Sequence, residues 1–79
     1  MDYILTFGSV HRVLKAEGIL NDADISFRLI PAPKALEKIC DLVILVDDAG
    51  LAAANLALAA ADFLPKAVYA GHENEYIKV

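Results

Sequence analysis

Leu42-Val43-Ile44-Leu45-Val46 is an unbroken apolar run rich in β-branched residues, closed on both sides by acids at Asp41 and Asp47. A run of this kind is too short for a buried helix and reads as a strand covered on both faces. It belongs in the middle of a sheet, and the rest of the chain is read outward from it. Upstream, Ile25, Phe27 and Leu29 alternate with Ser26 and Arg28, which marks a strand with one wet face. Between the two strands, Pro31-Ala32-Pro33 should not continue a ladder and biases the backbone to extended geometry. Ala35–Ile39 has room for one helical turn. Earlier still, Val10, Val13, Leu14, Ala16 and Leu20 recur at helical spacing, with Ser9 as N-cap and Asn21-Asp22 at the end. Ile4–Phe7 is a first strand, with Tyr3, Leu5 and Phe7 on one side, and Gly8-Ser9 stops it.

Downstream of the run, Asp47 and Asp48 are N-cap candidates for an alanine-rich helix over Ala49–Leu64, which Pro65 breaks. Ala67–Ala70 reads as a short strand, Gly71–Asn74 as a turn and Glu75–Val79 as a terminal strand. The order is β-α-β-β-α-β with one strand to spare. That is the split βαβ pattern of a ferredoxin-like α+β sandwich, an antiparallel sheet with helices Ser9–Asn21 and Asp48–Leu64 on one face. Strands one and three should be central, in the order 4-1-3-2. Either of the last two strands could fill the fourth place.

The 79 residues make one domain, 1–79, and a domain this small buries only about 60% of the surface its unfolded chain exposes. A single cysteine excludes an internal disulfide, so the 58% apolar content is the substitute: the domain leans on its core, with a partner subunit as a second source of stability. A lone thiol suits a reducing compartment, and Met1-Asp2 lacks the basic start of a secretory leader, so the expected location is cytoplasmic. Net charge is −4, which argues against nucleic acid as a partner. Leu51–Leu64 is interrupted by Asn55 and Asp62 and falls short of the ~20 apolar residues of a membrane span.

In a split βαβ fold the first and second strands run the same way, so the loops that follow them share one end of the sheet. Gly8–His11, Pro31–Cys40 and Asp62–Lys66 should meet there. Cys40 ends a Pro-bounded loop in which Arg28, Lys34 and Lys38 outnumber Glu37, while Asp41 follows it. Cations and the helix N-terminus at Ser9 favour a nucleophilic thiolate, and Glu37 and Asp41 oppose it. The bland reading is a packed core cysteine. The chemical reading requires Cys40 to be at least partly accessible. His11 is the histidine that topology brings to that end and could exchange protons with Cys40, although a solvated helix position accounts for it as well. His72 reads as a solvated turn residue. Glu17 falls inside the apolar arc of the first helix, where it snorkels or pairs. One Cys, two His and Asp47-Asp48 lack zinc spacing, and no nucleotide-binding glycine motif is present, so no metal or cofactor is expected.

Ile30-Pro31-Ala32-Pro33-Lys34 followed by Cys40 resembles the pattern of the selenium/sulfur (Se/S) carrier protein-like family, roughly Ile-Pro-Thr-Pro-Arg, a Ser-rich turn and Cys-Gly. Thr6-Phe7-x-Ser9 and Ala16-Glu17 resemble that family's strand-to-helix opening. Ala32, Lys34, Glu37 and Asp41 depart from it. The resemblance implies a carrier rather than a turnover enzyme. Cys40 would hold sulfur or selenium, Pro31 and Pro33 would stiffen the loop, and donor and acceptor proteins would be the partners. The competing readings are a ferredoxin-like regulatory or ligand-binding module, or an oligomerisation module, in which Cys40 is structural. Because the third strand is apolar on both sides, the sheet face without helices should carry a patch from Val43 or Ile44 and neighbours such as Ile4. A homodimer packed through that face is expected, unless Gly71–Val79 folds over it.

Overall fold

The computed structural model describes residues 1–72 and 75–79, His72 by its backbone alone. Seven elements follow one another: β1 (Asp2–Thr6), α1 (Val10–Asp22), β2 (Arg28–Pro31), β3 (Leu42–Asp47), α2 (Asp48–Ala60), β4 (Ala67–His72) and β5 (Glu75–Lys78). The strands form one antiparallel sheet in the order β2-β3-β1-β4-β5. This is the expected ferredoxin-like arrangement, with β1 and β3 in the middle and β4 in the fourth position. β5 adds a further edge strand.

Register explains the polarity of the central run. Leu5 opposes Ile44 and Tyr3 opposes Val46, and these alternate positions pack with Phe7, Val13, Leu20 and Leu58 beneath the helices. Ile4 and Val43 point to the other face, outside that core. Both are nonetheless buried, at 1% and 0% exposure, so the apolar patch expected there is smaller than the sequence suggests. Of the segment expected to cover this face, Gly71 and His72 belong to β4, Glu75–Lys78 pair with β4 as an edge strand, and Val79 N–H donates to Val68 O at 2.9 Å.

Several boundaries differ from the sequence reading, each for a local reason. β2 starts at Arg28 rather than Ile25, because Ile25 and Phe27 pack down against the core before the ladder begins. Pro31 is in the strand, opposite Leu42. β2 is an edge strand, and a proline there can turn its missing N–H outward. α2 stops at Ala60, four residues before Leu64. The stop is Asp62 in the left-handed region (φ 53°), with Asp62 N–H bonded to Ala59 O and Phe63 N–H to Leu58 O. α1 ends the same way: Asp24 has φ 57°, and Asp24 and Ile25 donate to Asn21 O and Leu20 O. Both ends are Schellman motifs in which aspartate takes the place usually held by glycine, and an apolar residue follows to meet the core.

The N-caps are the residues the sequence names. Ser9 Oγ accepts from Arg12 N–H at 3.2 Å, and Asp47 Oδ1 accepts from Gly50 N–H at 2.7 Å. Within the turn read at Gly71–Asn74, Gly71 and His72 are strand residues opposite Tyr76 and Glu75, while Glu73, Asn74 and the His72 side chain lie outside the described residues. A Cβ on Gly71 would come within 2.8 Å of the Tyr76 ring, so only glycine leaves that ring room to lie across β4. No helix among the described residues is long and apolar enough to cross a membrane.

Candidate functional site at the Cys40 loop

β1 and β2 are both antiparallel to β3, so they run in the same direction and their C-terminal ends coincide. Two of the three loops expected to meet are in contact, and the third delivers Cys40 to the core that Phe7 and Phe63 also enter. Lys66 N–H donates to Thr6 O at 2.7 Å, tying the segment after α2 to the end of β1. Phe7 stacks on Phe63 with centroids 6.0 Å apart and planes 12° from parallel. Arg12 and Lys15, on the first turns of α1, sit over the Phe63 ring at 4.5 and 4.8 Å. Two cations lie over one aromatic ring, which holds α1 to the segment after α2.

The loop from Ala32 to Asp41 joins edge strand β2 to central strand β3. Its ends are clasped by Ala32 N–H donating to Asp41 O at 2.9 Å. Within it, Leu36 N–H and Glu37 N–H both donate to Pro33 O, so the expected helical turn is present but begins earlier, over residues 33–37. Lys34 Nζ meets Asp41 Oδ1 at 3.1 Å in an exposed ion pair. Pairs of that kind are worth about 0–1 kcal/mol.

Cys40 is not accessible as expected. It is 2% exposed, belongs to the core beneath the helices, and donates from Sγ to Leu42 O at 3.2 Å. Its place just before a buried strand turns the side chain inward, into the core it shares with Leu5, Phe7, Ile44 and Phe63. Glu37, expected to oppose the cations from solvent, is itself 4% exposed, and its Oε1 is buried without a hydrogen-bond partner. A carboxyl oxygen in that state costs free energy. Nothing in the sequence marks it, because a glutamate between Leu36 and Lys38 reads as a surface residue.

The remaining candidates spread around this end. Ser9 caps α1, Lys38 is exposed, and Pro31 and Pro33 bracket the start of the loop. His11 is exposed on α1, on the side away from the buried stripe of Val13, Ala16 and Leu20, and the structure does not bring it to Sγ. Arg28, counted as a neighbour of Cys40, stands at the far end of β2 opposite Leu45. Glu17 is half-buried beside a shallow cleft lined by Asn21, Ile25, Phe27 and Leu29. Among the described residues no cluster of His, Cys, Asp and Glu could hold a metal ion.

No curated protein and no solved structure matches the chain. One family profile does, over residues 2–70, from β1 through the Cys40 loop into β4. That span is most of the chain, so the protein belongs to the family described as Putative Se/S carrier protein-like.

Proposed function

We propose that this protein carries sulfur or selenium on Cys40, as a persulfide or selenosulfide, between a donor and an acceptor protein in the cytoplasm. The observation that supports the reading most is the loop. The chain's one thiol is buried at the end of a Pro-bounded loop that would act as its flap, and that loop's ends are held by one backbone hydrogen bond, an exposed ion pair and the thiol's own bond to Leu42 O. The unpartnered Glu37 oxygen works against that closure. A sheltered thiol under a weakly held flap suits cargo that must be kept from water and stray thiols, then released.

In loading, the Cys40 thiolate attacks the terminal sulfur or selenium of a donor persulfide or selenosulfide. A new bond to Sγ forms, the donor's bond to that atom breaks, and the donor leaves as a thiolate. The Cys40 proton goes to solvent, and His11 stands at the same end of the sheet to accept it once the flap lifts. The transferred atom keeps its oxidation state, so no external oxidant enters the balance. Unloading is the same exchange in reverse.

The burial of Cys40 favours a second reading, a ferredoxin-like regulatory or assembly module in which the thiol only packs. Self-association through the helix-free sheet face is compatible with either. Intact mass separates the two. Reduced protein treated with glutathione persulfide should gain one sulfur, lose it to an added acceptor thiol, and fail to gain it as Cys40→Ser with an unchanged circular dichroism spectrum. No adduct, under conditions that load the urea-unfolded chain, would leave the packing role.

A further inference from the structure

The cations of this acidic chain are not spread evenly. Five of the seven, Arg12, Lys15, Lys34, Lys38 and Lys66, lie on segments at the Cys40 end of the sheet, and all five are exposed. The acids gather at the opposite end, where Asp2, Asp22, Asp24, Asp47, Asp48 and Glu75 sit at the other termini of the same elements. At the Cys40 end Asp41 is taken up by Lys34 and Glu37 is buried, which leaves Asp62 as the exposed acid there.

The same end also exposes aliphatic side chains. Ile39, next to Cys40, is 80% exposed, Leu64 58% and Val10 40%. Leu14 follows Val10 by one helical turn, and Glu17, next on that stripe, faces the cleft beside β2, so the stripe looks toward the strand from which the Cys40 loop springs. Apolar groups ringed by charge of one sign mark a surface that meets a partner of the other sign.

We propose that the Cys40 end of the sheet is a docking surface for a protein whose own surface is acidic around an apolar centre. Ile39, Val10 and Leu64 would seat against that centre, and Lys38, Lys66, Lys15 and Arg12 would pair with the surrounding carboxylates. The proposal deepens the carrier reading and rests on it for the identity of the partner as donor or acceptor. A nucleic acid fits less well. The exposed apolar groups are aliphatic, and Phe63, the aromatic ring closest to them in sequence, is stacked on Phe7 and covered by Arg12 and Lys15, leaving no free face for a base.

The test needs no cargo. Peptides carrying one cysteine activated as a thiopyridyl disulfide react with the Cys40 thiolate, forming a mixed disulfide and releasing thiopyridone. Three are compared at concentrations where the rate is first order in peptide: glutamate-flanked, lysine-flanked and uncharged, each with one leucine. Electrostatic recruitment of this kind raises rates by about 10-fold or more at low salt and fades as the screening length shrinks. The glutamate peptide should therefore outpace the uncharged one by roughly tenfold at low salt and match it at high salt. Lys38→Glu with Lys66→Glu should reverse that preference, read as the ratio of the glutamate-peptide to the lysine-peptide rate on the same variant, in which any change in the thiol's own reactivity cancels. Ile39→Gln should slow the glutamate peptide and spare its leucine-free analogue. Equal rates for the three peptides at low salt, or a preference unmoved by the lysine reversals, would overturn the proposal. So would protection of Cys40 by a stoichiometric single-stranded oligonucleotide, which would make the surface a nucleic-acid site. Because these readouts follow peptide charge and not sulfur transfer, they separate a failure of the surface from a failure of the carrier reading.

Discussion

Replacing Glu37 by methionine should slow the reaction of Cys40 with a small disulfide reagent. In the closed loop the Glu37 side chain is 4% exposed and Oε1 has no partner. Lifting the loop returns that oxygen to water and relieves about 1–3 kcal/mol. Against this, lifting breaks the Ala32–Asp41 backbone bond, worth about 1 kcal/mol, and exposes the Cys40 side chain, worth about 1–1.5 kcal/mol. The exposed Lys34–Asp41 pair adds about 0–1 kcal/mol. The opposing contributions are of similar size, so the closed loop is favoured by only a small margin and the open form is a minor population. Methionine has nearly the length of glutamate and nothing to hydrate, so Glu37→Met removes the opposing contribution. At a factor of ten per 1.4 kcal/mol, the open fraction should fall roughly 5- to 150-fold. Labelling by way of local opening follows that fraction. The assay is the release of a coloured thiolate, with the urea-unfolded chain as the unprotected reference. Asp41→Gly, which removes the ion pair, should move the rate the other way by up to about fivefold. A Glu37→Met protein that is folded by circular dichroism yet labels as fast as the parent would refute the reasoning. The carboxyl oxygen would then not be what strains the loop.

Asp62→Gly should stabilise the fold by about 0.5–1 kcal/mol, because aspartate in the left-handed region costs about that much and its charge also opposes the C-terminal end of α2; an unchanged or lowered urea midpoint would contradict this. Ser9→Ala should cost about 1 kcal/mol through the lost bond to Arg12 N–H, read as a drop in the thermal midpoint. The Tyr3 hydroxyl is held above its ordinary 10.0, first by a hydrogen bond to the Asp48 carboxylate and then by that carboxylate's charge. As pH rises through 10.0 the unfolded chain loses its phenolic proton before the folded one does, so folding stability should fall there. Asp48→Asn should bring the late step of the tyrosine absorbance titration back toward 10.0. An unmoved step would assign the shift elsewhere.

The sheet order was legible because polarity alone sorts the strands. Leu42–Val46 cannot tolerate an edge, and the alternation from Ile25 to Leu29 cannot tolerate a centre. The Ser9 cap was legible because its hydroxyl supplies the acceptor that a helix start requires, and the second cap was narrowed to Asp47 or Asp48, since both carry such an acceptor. The helix ends were not, because Asp24 and Asp62 reach the left-handed region without the glycine that advertises it, and alanine through Ala61 gives no periodic signal to stop. Pro31 was misplaced because a proline excludes a ladder only where its N–H would be needed, and position within the sheet decides that. The end at which Cys40 lies follows from strand direction. Its burial follows from how ten residues of loop fold back, and that depends on packing partners far away in the sequence.

The family match stops at residue 70, short of the last strand. β5 therefore acts as a selvedge on a four-stranded cloth. It takes up the backbone donors and acceptors that β4 would otherwise present along a whole free border, and the Tyr76 ring laid across Gly71 stitches it down. At the opposite border Pro31 does a comparable service with a single missing donor. A chain cut before Glu75 would keep its two-helix core and its Cys40 loop, yet it would bare a ready template in Val68–Ala70 for a strand from another molecule. The nine residues after the family's common span thus govern whether copies of this domain fray into one another at high concentration.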